Sequence, residues 1–522
     1  MKNITKLILL ALCANPAYGQ NYIKPGAPFP SSLQGAIRPG LELPKLVQRA
    51  TIDIRPDYID NSESPYFPPI VSQHGGSCAQ ASGIHYLFTY EMNRYMERPV
   101  EGKKSNIFSY RWTWNYLNEG KDQGSFASDG IEITQTAGCI TVSDYGLDQD
   151  ESVFRWVSGY EKYYNALHYR TKAMYSIDLD TREGIEKLMD YMIDKGDGHP
   201  GGGIASFSIS GKDWGYGLYE GPSNTGIDHM ILMKGTSGAH AMTLVGYDLA
   251  FQYDFDNNGI IDESETGAFI LVNSWGTWWG NDGKAFMPFY YFLHAGEEGG
   301  TSSWDIDALC IDVENYTPTL TYEVTFYYSS RNDISLSMGV ADGAQAKNGD
   351  RGTIMYYPIV RGQGGDFNMQ GTSFTSGREM QMVLDYSSKA ATLDTMKAPN
   401  FMFNVNQTAL GKLGEGWVKS ITVRNHKSGE SWTKLYTKEE GKIKIGSNRF
   451  FIPTKMWYKN ARGEWYVKTP STANPMSETC WSSKKGSNTY SVRTADGKYA
   501  TMLIGGYDES SRKLKLKFTY YE

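Results

Sequence analysis

A chain of 522 residues with 51 basic and 58 acidic side chains carries a net charge of −7 and has room for about three domains. No basic cluster runs through it, so nothing points to a nucleic-acid partner. Beyond the N-terminus no segment is long and apolar enough to span a bilayer.

Residues 1–19 hold Lys2 and Lys6, an apolar run over 7–12, and Ala17-Tyr18-Gly19 just before Gln20. The run is too short to cross a membrane and small residues mark a cut site, so the stretch reads as a secretory signal peptide. The expected location is secreted or cell envelope, which means periplasm or cell surface if the source is bacterial. Cys13 leaves with the signal, and the bulky Leu12 before it argues against acylation there. Residues 20–58 carry Pro25, Pro28, Pro30, Pro39 and Pro44; they form either a flexible linker or a short inhibitory leader across a cleft.

The stretch Gln73-His74-Gly75-Gly76-Ser77-Cys78 then places one cysteine after two glycines. From there Ala81, Ile84, Leu87 or Phe88, Met92 and Tyr95 recur every three or four residues. That spacing predicts an amphipathic helix over about 79–96 with Cys78 at its N-terminal end. Free backbone N–H groups and the positive end of the helix dipole favour a thiolate there. Residues 80–175 are expected to be mainly helical, with a further helix over 180–194 and a strand over 203–209 that opens a β half. Two apolar, strand-like runs follow. His240 opens one, Gly238-Ala239-His240-Ala241-Met242-Thr243-Leu244-Val245-Gly246-Tyr247, and Asn273 ends the other, Phe269-Ile270-Leu271-Val272-Asn273-Ser274-Trp275-Gly276-Thr277-Trp278-Trp279-Gly280.

Cysteine, histidine and asparagine in this order make a mechanism: the imidazole takes the thiol proton, the carboxamide fixes its tautomer, and an upstream glutamine donates to a developing oxyanion. The strings Asn-Ser-Trp-Gly-Thr-x-Trp-Gly, His-Ala-x-x-x-Val-Gly-Tyr and Gln-x-x-Gly-Ser-Cys resemble those of papain-like cysteine peptidases over roughly residues 60–313. The resemblance implies Cys78 as nucleophile, His240 as general base and acid, Asn273 as orienting residue and Gln73 as oxyanion donor. It further implies Trp275 as a shield over the His240–Asn273 hydrogen bond. Three positions depart from the family pattern. Gln73 stands one residue closer to the cysteine, Ala79 replaces the usual tryptophan, and the gap from His240 to Asn273 is longer. His229, beside Asp228, is the rival base, but only His240 is followed by Val-Gly-Tyr at the family's distance.

The lengthened gap contains Asp254-Phe255-Asp256-Asn257-Asn258-Gly259-Ile260-Ile261-Asp262-Glu263-Ser264-Glu265, a full match to a twelve-position calcium loop. Asp254, Asp256, Asn258, the Ile260 carbonyl, Asp262 and a bidentate Glu265 would supply oxygens, with Gly259 at the sharp turn. Such an ion would brace the histidine and asparagine strands without entering the chemistry. No zinc spacing and no organic cofactor motif occur. Once Cys13 is removed and Cys78 kept free, Cys139, Cys310 and Cys480 allow one disulfide at most.

After Cys310, period-two alternation at Leu320, Tyr322, Val324, Phe326 and Tyr328 predicts antiparallel sheet. The pattern repeats at Ile334, Leu336, Met338 and Val340, and again at Leu514, Leu516, Phe518 and Tyr520. The expected architecture is an α+β, papain-like, two-lobed peptidase domain at 59–313, with a helical lobe and a β-barrel-like lobe. An all-β, sandwich-like module at 316–450 follows it, and then a second module or continuation at 451–522. The expected function is that of a secreted cysteine peptidase acting on protein or peptide substrates, an endopeptidase ahead of an exopeptidase. Its β modules would serve as spacers or as cell-surface or glycan contacts. The alternative from another class is an inactive papain-like adhesion or binding protein.

Overall fold

The computed structural model describes residues 34–147, 154–209, 215–233, 239–294, 307–342, 352–371, 377–396, 399–407, 414–452, 456–459, 465–468, 489–493, 499–508 and 513–521. The signal peptide expected at 1–19 and Cys480 lie outside these residues. The chain divides into two compact units, Met1–Ile452 and Pro453–Glu522.

In the first unit the residues around Cys78 form one long helix in three joined segments, Cys78–Gln80, Ala81–Phe88 with π-type spacing, and Thr89–Tyr95. Ala81, Ile84, Leu87, Phe88 and Met92 are all buried, as the spacing predicts, and every residue of the π segment is buried too. Helices Tyr110–Leu117, Ala127–Ala137, Val142–Tyr145 and Tyr160–Ala166 follow. The helical run ends sooner than expected, because Tyr169–Asp178 is a strand. Arg170, Met174 and Ile177 are buried along it, a strand signal that the polar residues between them mask. The helix expected at 180–194 is present as Arg182–Ile193, with the Thr181 side chain accepting the Gly184 N–H.

The second half of this region is a nine-stranded sheet. Its order runs Tyr169–Asp178, Asp307–Asn315, Ala205–Ile209, His240–Gln252, Thr266–Val272, Lys284–Pro288, His229–Met233, Gly215–Leu218, with Tyr58–Asp60 added alongside His240–Gln252. Antiparallel pairing sets Thr243 opposite Val272 and Ile209 opposite His240. The asparagine strand therefore ends one residue before Asn273, level with the beginning of the histidine strand.

A sandwich follows directly. One four-stranded sheet runs Glu379–Asp385, Leu320–Tyr328, Gly416–Asn425, Glu430–Leu435, and the other runs Thr353–Arg361, Ile334–Asp342, Pro399–Gln407, Gly446–Ile452. In Leu320–Tyr328 the alternating residues Tyr322, Val324, Phe326 and Tyr328 are buried as predicted, yet Thr321 and Thr325 on the opposite face are buried as well. The cause is that this sheet packs on the helical half. Tyr160 Oη shares a hydrogen bond with Thr325 Oγ1 at 2.5 Å, and Arg170 pairs with the buried Asp385 at 3.0 Å. Arg331 donates to the Phe154 carbonyl and lies over the Trp156 ring, 4.4 Å from its centroid. One continuous apolar core accordingly runs from Ile84 and Tyr116 in the helices to Tyr322 and Phe403 in the sandwich, whereas the sheet half keeps a core of its own around Phe207, Leu244 and Phe269.

In the second unit the strands Met456–Lys459 and Trp465–Lys468 pair, and Thr489–Arg493, Tyr499–Asp508 and Lys513–Tyr521 form an antiparallel three-stranded sheet.

Candidate active site

Cys78 is the first residue of its helix and is wholly buried. Its apolar neighbours are Ala79 and Ala241, the residue directly after His240. Burial pushes the thiol up to about 11, while backbone hydrogen bonds from Ala241, Ala79 and Cys78 itself pull it down. The glycines ahead of it are required by close approach. A Cβ at Gly75, where φ is +57°, would meet the Asp122 carboxylate at 1.9 Å, and one at Gly76 would lie 2.7 Å from the Gln123 backbone. Asp122 holds this turn by accepting the Gly76 N–H at 2.7 Å.

His240 opens its strand with its Nε2 2.8 Å from Asn273 Oδ1. The same Oδ1 accepts the Ser274 N–H at 2.8 Å, which fixes which end of the amide faces the ring. Because that oxygen only accepts, Nε2 carries the hydrogen and Nδ1 is the basic nitrogen. Burial lowers His240 to about 4, and the Asn273 hydrogen bond raises it only in part. The Trp275 ring lies over the imidazole with centroids 4.9 Å apart. Burial thus favours the neutral state of both the cysteine and the histidine.

Gln73 is tied at both ends of its side chain: Oε1 accepts from Ser274 Oγ at 2.5 Å and Nε2 donates to the Gly75 carbonyl at 2.7 Å. An oxyanion role requires that second bond to be exchanged. His229 stands elsewhere, with two strands between its own and the His240 strand, and its Nδ1 is 2.6 Å from Asp228.

Sequence reasoning passed over the residues that hold these groups. Ser82, one turn after Cys78, has its hydroxyl 2.6 Å from the Met242 carbonyl, 2.7 Å from Ser206 Oγ and 2.9 Å from Thr243 Oγ1. Tyr86, a turn further, donates to the Asn273 carbonyl at 3.0 Å and accepts the Val71 N–H at 3.0 Å. Gln80 binds Ser125 and the Phe126 carbonyl at 3.0 and 2.8 Å and accepts from Thr113. The helical spacing of Ser82 and Tyr86 with Cys78 was the available signal, since all three share one face.

Residues 34–38 run along the gap between the two halves. Gln34 Nε2 donates to the carbonyl of Ala239, next to His240, at 2.7 Å. Gly35 and Ala36 pair through their backbones with Ser125, Ala127 and Ser128 on the helical side. The Ala36 N–H also reaches Ser208 Oγ on the sheet side at 2.5 Å.

In the lengthened loop, carboxylate oxygens of Asp254, Asp256 and Glu265 come within 4.8 Å of one another. Gly259, at φ +82°, makes the turn. Asn258 Oδ1 accepts the Ile260 N–H, and Asp262 caps the short turn Glu263–Glu265. Glu265 is buried and accepts the Phe255 N–H at 2.7 Å. Among the described residues Cys139 and Cys310 are free buried thiols.

Solved structures with some likeness include xylellain, a cysteine protease from Xylella fastidiosa, at 18% identity, covering 54% of this chain and 96% of that one, with a TM-score of 0.36. Digestive procathepsin L2 proteinase from the Tenebrio molitor larval midgut is similar at 15% identity over 54% and 78%, TM-score 0.37. ProCathepsin B S9 from Trypanosoma congolense is similar at 14% over 54% and 87%, TM-score 0.33. Identities and scores this low do not carry an activity across. No family model and no curated protein matches the chain.

The depressed His240 value sets a sign. In the unfolded chain the ring takes a proton near pH 6.5, in the folded chain only near 4. Its contribution to stability is therefore complete above about pH 6.5 and is lost as the pH falls towards 4, on the order of 3 kcal/mol in all. Urea unfolding at stepped pH should show the wild type losing more stability over that interval than His240→Gln; parallel curves would contradict the buried neutral ring.

Proposed function

We propose that the chain is a cysteine peptidase in which Cys78 is the nucleophile, His240 the general base and acid, and Asn273 the orienting residue. The observation that carries this is the His240 Nε2–Asn273 Oδ1 bond at 2.8 Å beneath Trp275, on a strand whose second residue packs against Cys78. In the open enzyme His240 Nδ1 takes the thiol proton and the Cys78 sulfur attacks a peptide carbonyl. The N–H groups at the start of the helix stabilise the developing oxyanion. His240 then protonates the departing amine, and water deprotonated by His240 hydrolyses the thioester. The Trp275 ring keeps water from the histidine–asparagine bond. Protein or peptide chains are the substrates, with internal cleavage placed ahead of terminal cleavage. Export is part of the reading and rests on the sequence of residues 1–19.

The proposal includes a structural calcium ion at Asp254, Asp256, Asn258, Asp262, Glu265 and the Ile260 carbonyl. The all-oxygen donor set and the gathered carboxylates fit a hard cation. Its contribution would be to hold the connection between the His240 strand and the Asn273 strand.

Two measurements check these assignments. His240→Ala should lower peptide cleavage by about 10²–10⁴-fold, whereas His229→Ala should leave it within a few-fold; the reverse result would move the role to His229. Chelation of calcium should lower the melting temperature of the chain by at least about 3 °C, and no change would remove the ion from the account.

A further inference from the structure

Residues 34–36 are held through groups that any extended peptide offers. Gly35 donates to the Ser125 carbonyl at 3.2 Å and accepts from Ala127 at 2.9 Å, and the Ala36 carbonyl accepts the Ser128 N–H at 2.9 Å. Such pairing is indifferent to side chains. Arg38 is different. Its guanidinium bonds Asp129 at 2.6 Å and Glu132 at 3.3 Å, while its backbone N–H reaches Ser128 Oγ at 3.0 Å. Asp129 has only 3% of its side chain exposed, beside the half-buried Glu132 at 26%. Burial raises Asp129 to about 7. A second cation acting on it is Arg361, from the sandwich strand Thr353–Arg361. When Arg38 is withdrawn, Asp129 and Glu132 lose the guanidinium that pairs with both, and a buried carboxylate that loses its partner is unfavourable.

We propose, resting on the peptidase reading above, that Asp129 and Glu132 form a substrate subsite for an arginine or lysine side chain, occupied in this structure by Arg38. Gln34 bonds the residue beside His240 and Arg38 stands four residues further on. The selected basic residue therefore lies within about four positions of the cleaved bond. The planar guanidinium matches two carboxylates better than an ammonium does, so arginine is preferred over lysine. Asp129 and Glu132 act as specificity residues and take no part in bond making.

The test uses the full chain with Arg38→Ala and two sets of peptide epoxides that differ only in arginine or its neutral isostere citrulline. The basic residue is scanned over four positions, and Cys78 labelling is read by mass spectrometry. The arginine set should label at least tenfold faster at one position. Adding Asp129→Asn should bring the two sets within about twofold, and Glu132→Gln, at the more exposed carboxylate, should narrow the gap even if Asp129→Asn does not fold. Equal labelling by both sets overturns the subsite, leaves Arg38 as a leader anchor only, and keeps the nucleophile assignment. Labelling by neither overturns that assignment and the subsite with it.

Discussion

A single buried hydroxyl joins the two halves of the site. Ser82 lies one turn along the helix from Cys78 and bonds the carbonyl of Met242, two residues past His240, with Ser206 and Thr243 completing its shell. A helix and a strand come together here from sequence positions 160 residues apart. An apolar contact alone would let them slide, because dispersion has little direction, whereas a hydroxyl bound on three sides fixes both register and rotation. Tyr86 extends the same face to the Asn273 backbone. The loop ahead of Cys78 closes the ring, since Gln73 N–H bonds the Ser274 carbonyl at 2.7 Å and Gly276 N–H bonds Val71 at 3.0 Å. Cys78, His240 and Asn273 are thereby all placed from one helix face.

The electrostatics follow from that closeness. Packing Cys78 and His240 out of water favours thiol and imidazole, so both groups are neutral in this structure. The asparagine supports the imidazolium through one hydrogen bond and adds no charge, unlike a carboxylate in its place. Residues 34–38 bridge the walls beside this pair with bonds to Ala239, Ser208 and Ser125. Further along, Arg49 pairs with Asp312 at 2.6 Å and Arg55 with Asp190 at 2.8 Å. The stretch that sequence left open between linker and leader is bound along much of its described length.

How much of this was legible depends on the kind of signal. The Cys78 helix and the strands at Leu320–Tyr328 and Ile334–Asp342 could be read because their large apolar residues fall on one face and impose a period, even where the other face is also covered. The trio itself came from motif strings, and the 2.8 Å bond between its histidine and asparagine depends on the pairing of Thr243 with Val272. Three things were hidden. Strand Tyr169–Asp178 carries polar residues that read as helix surface, since the segments that pair with its two edges, Asp307–Asn315 and the chain around Lys45, lie more than a hundred residues away in sequence. Ser82 and Tyr86 look like ordinary helix residues until the sheet is set against them. The acidic pair at Asp129 and Glu132 acquires meaning only when Arg38, some ninety residues earlier, is seen beside it.

The sandwich is joined to the helical half by a common core and by the Tyr160–Thr325 hydrogen bond, and to the edge strand Tyr169–Asp178 by the Arg170–Asp385 pair. That arrangement gives the site two rigid walls, and the central claim is that chemistry occurs between them at Cys78. The most direct measurement incubates the full chain, wild type and Cys78→Ala, with a mixed peptide library and reads the cleaved bonds by mass spectrometry. The account predicts cleavage by the wild type that the substitution abolishes. Cleavage that persists in Cys78→Ala, or an intact library with both proteins, would contradict it.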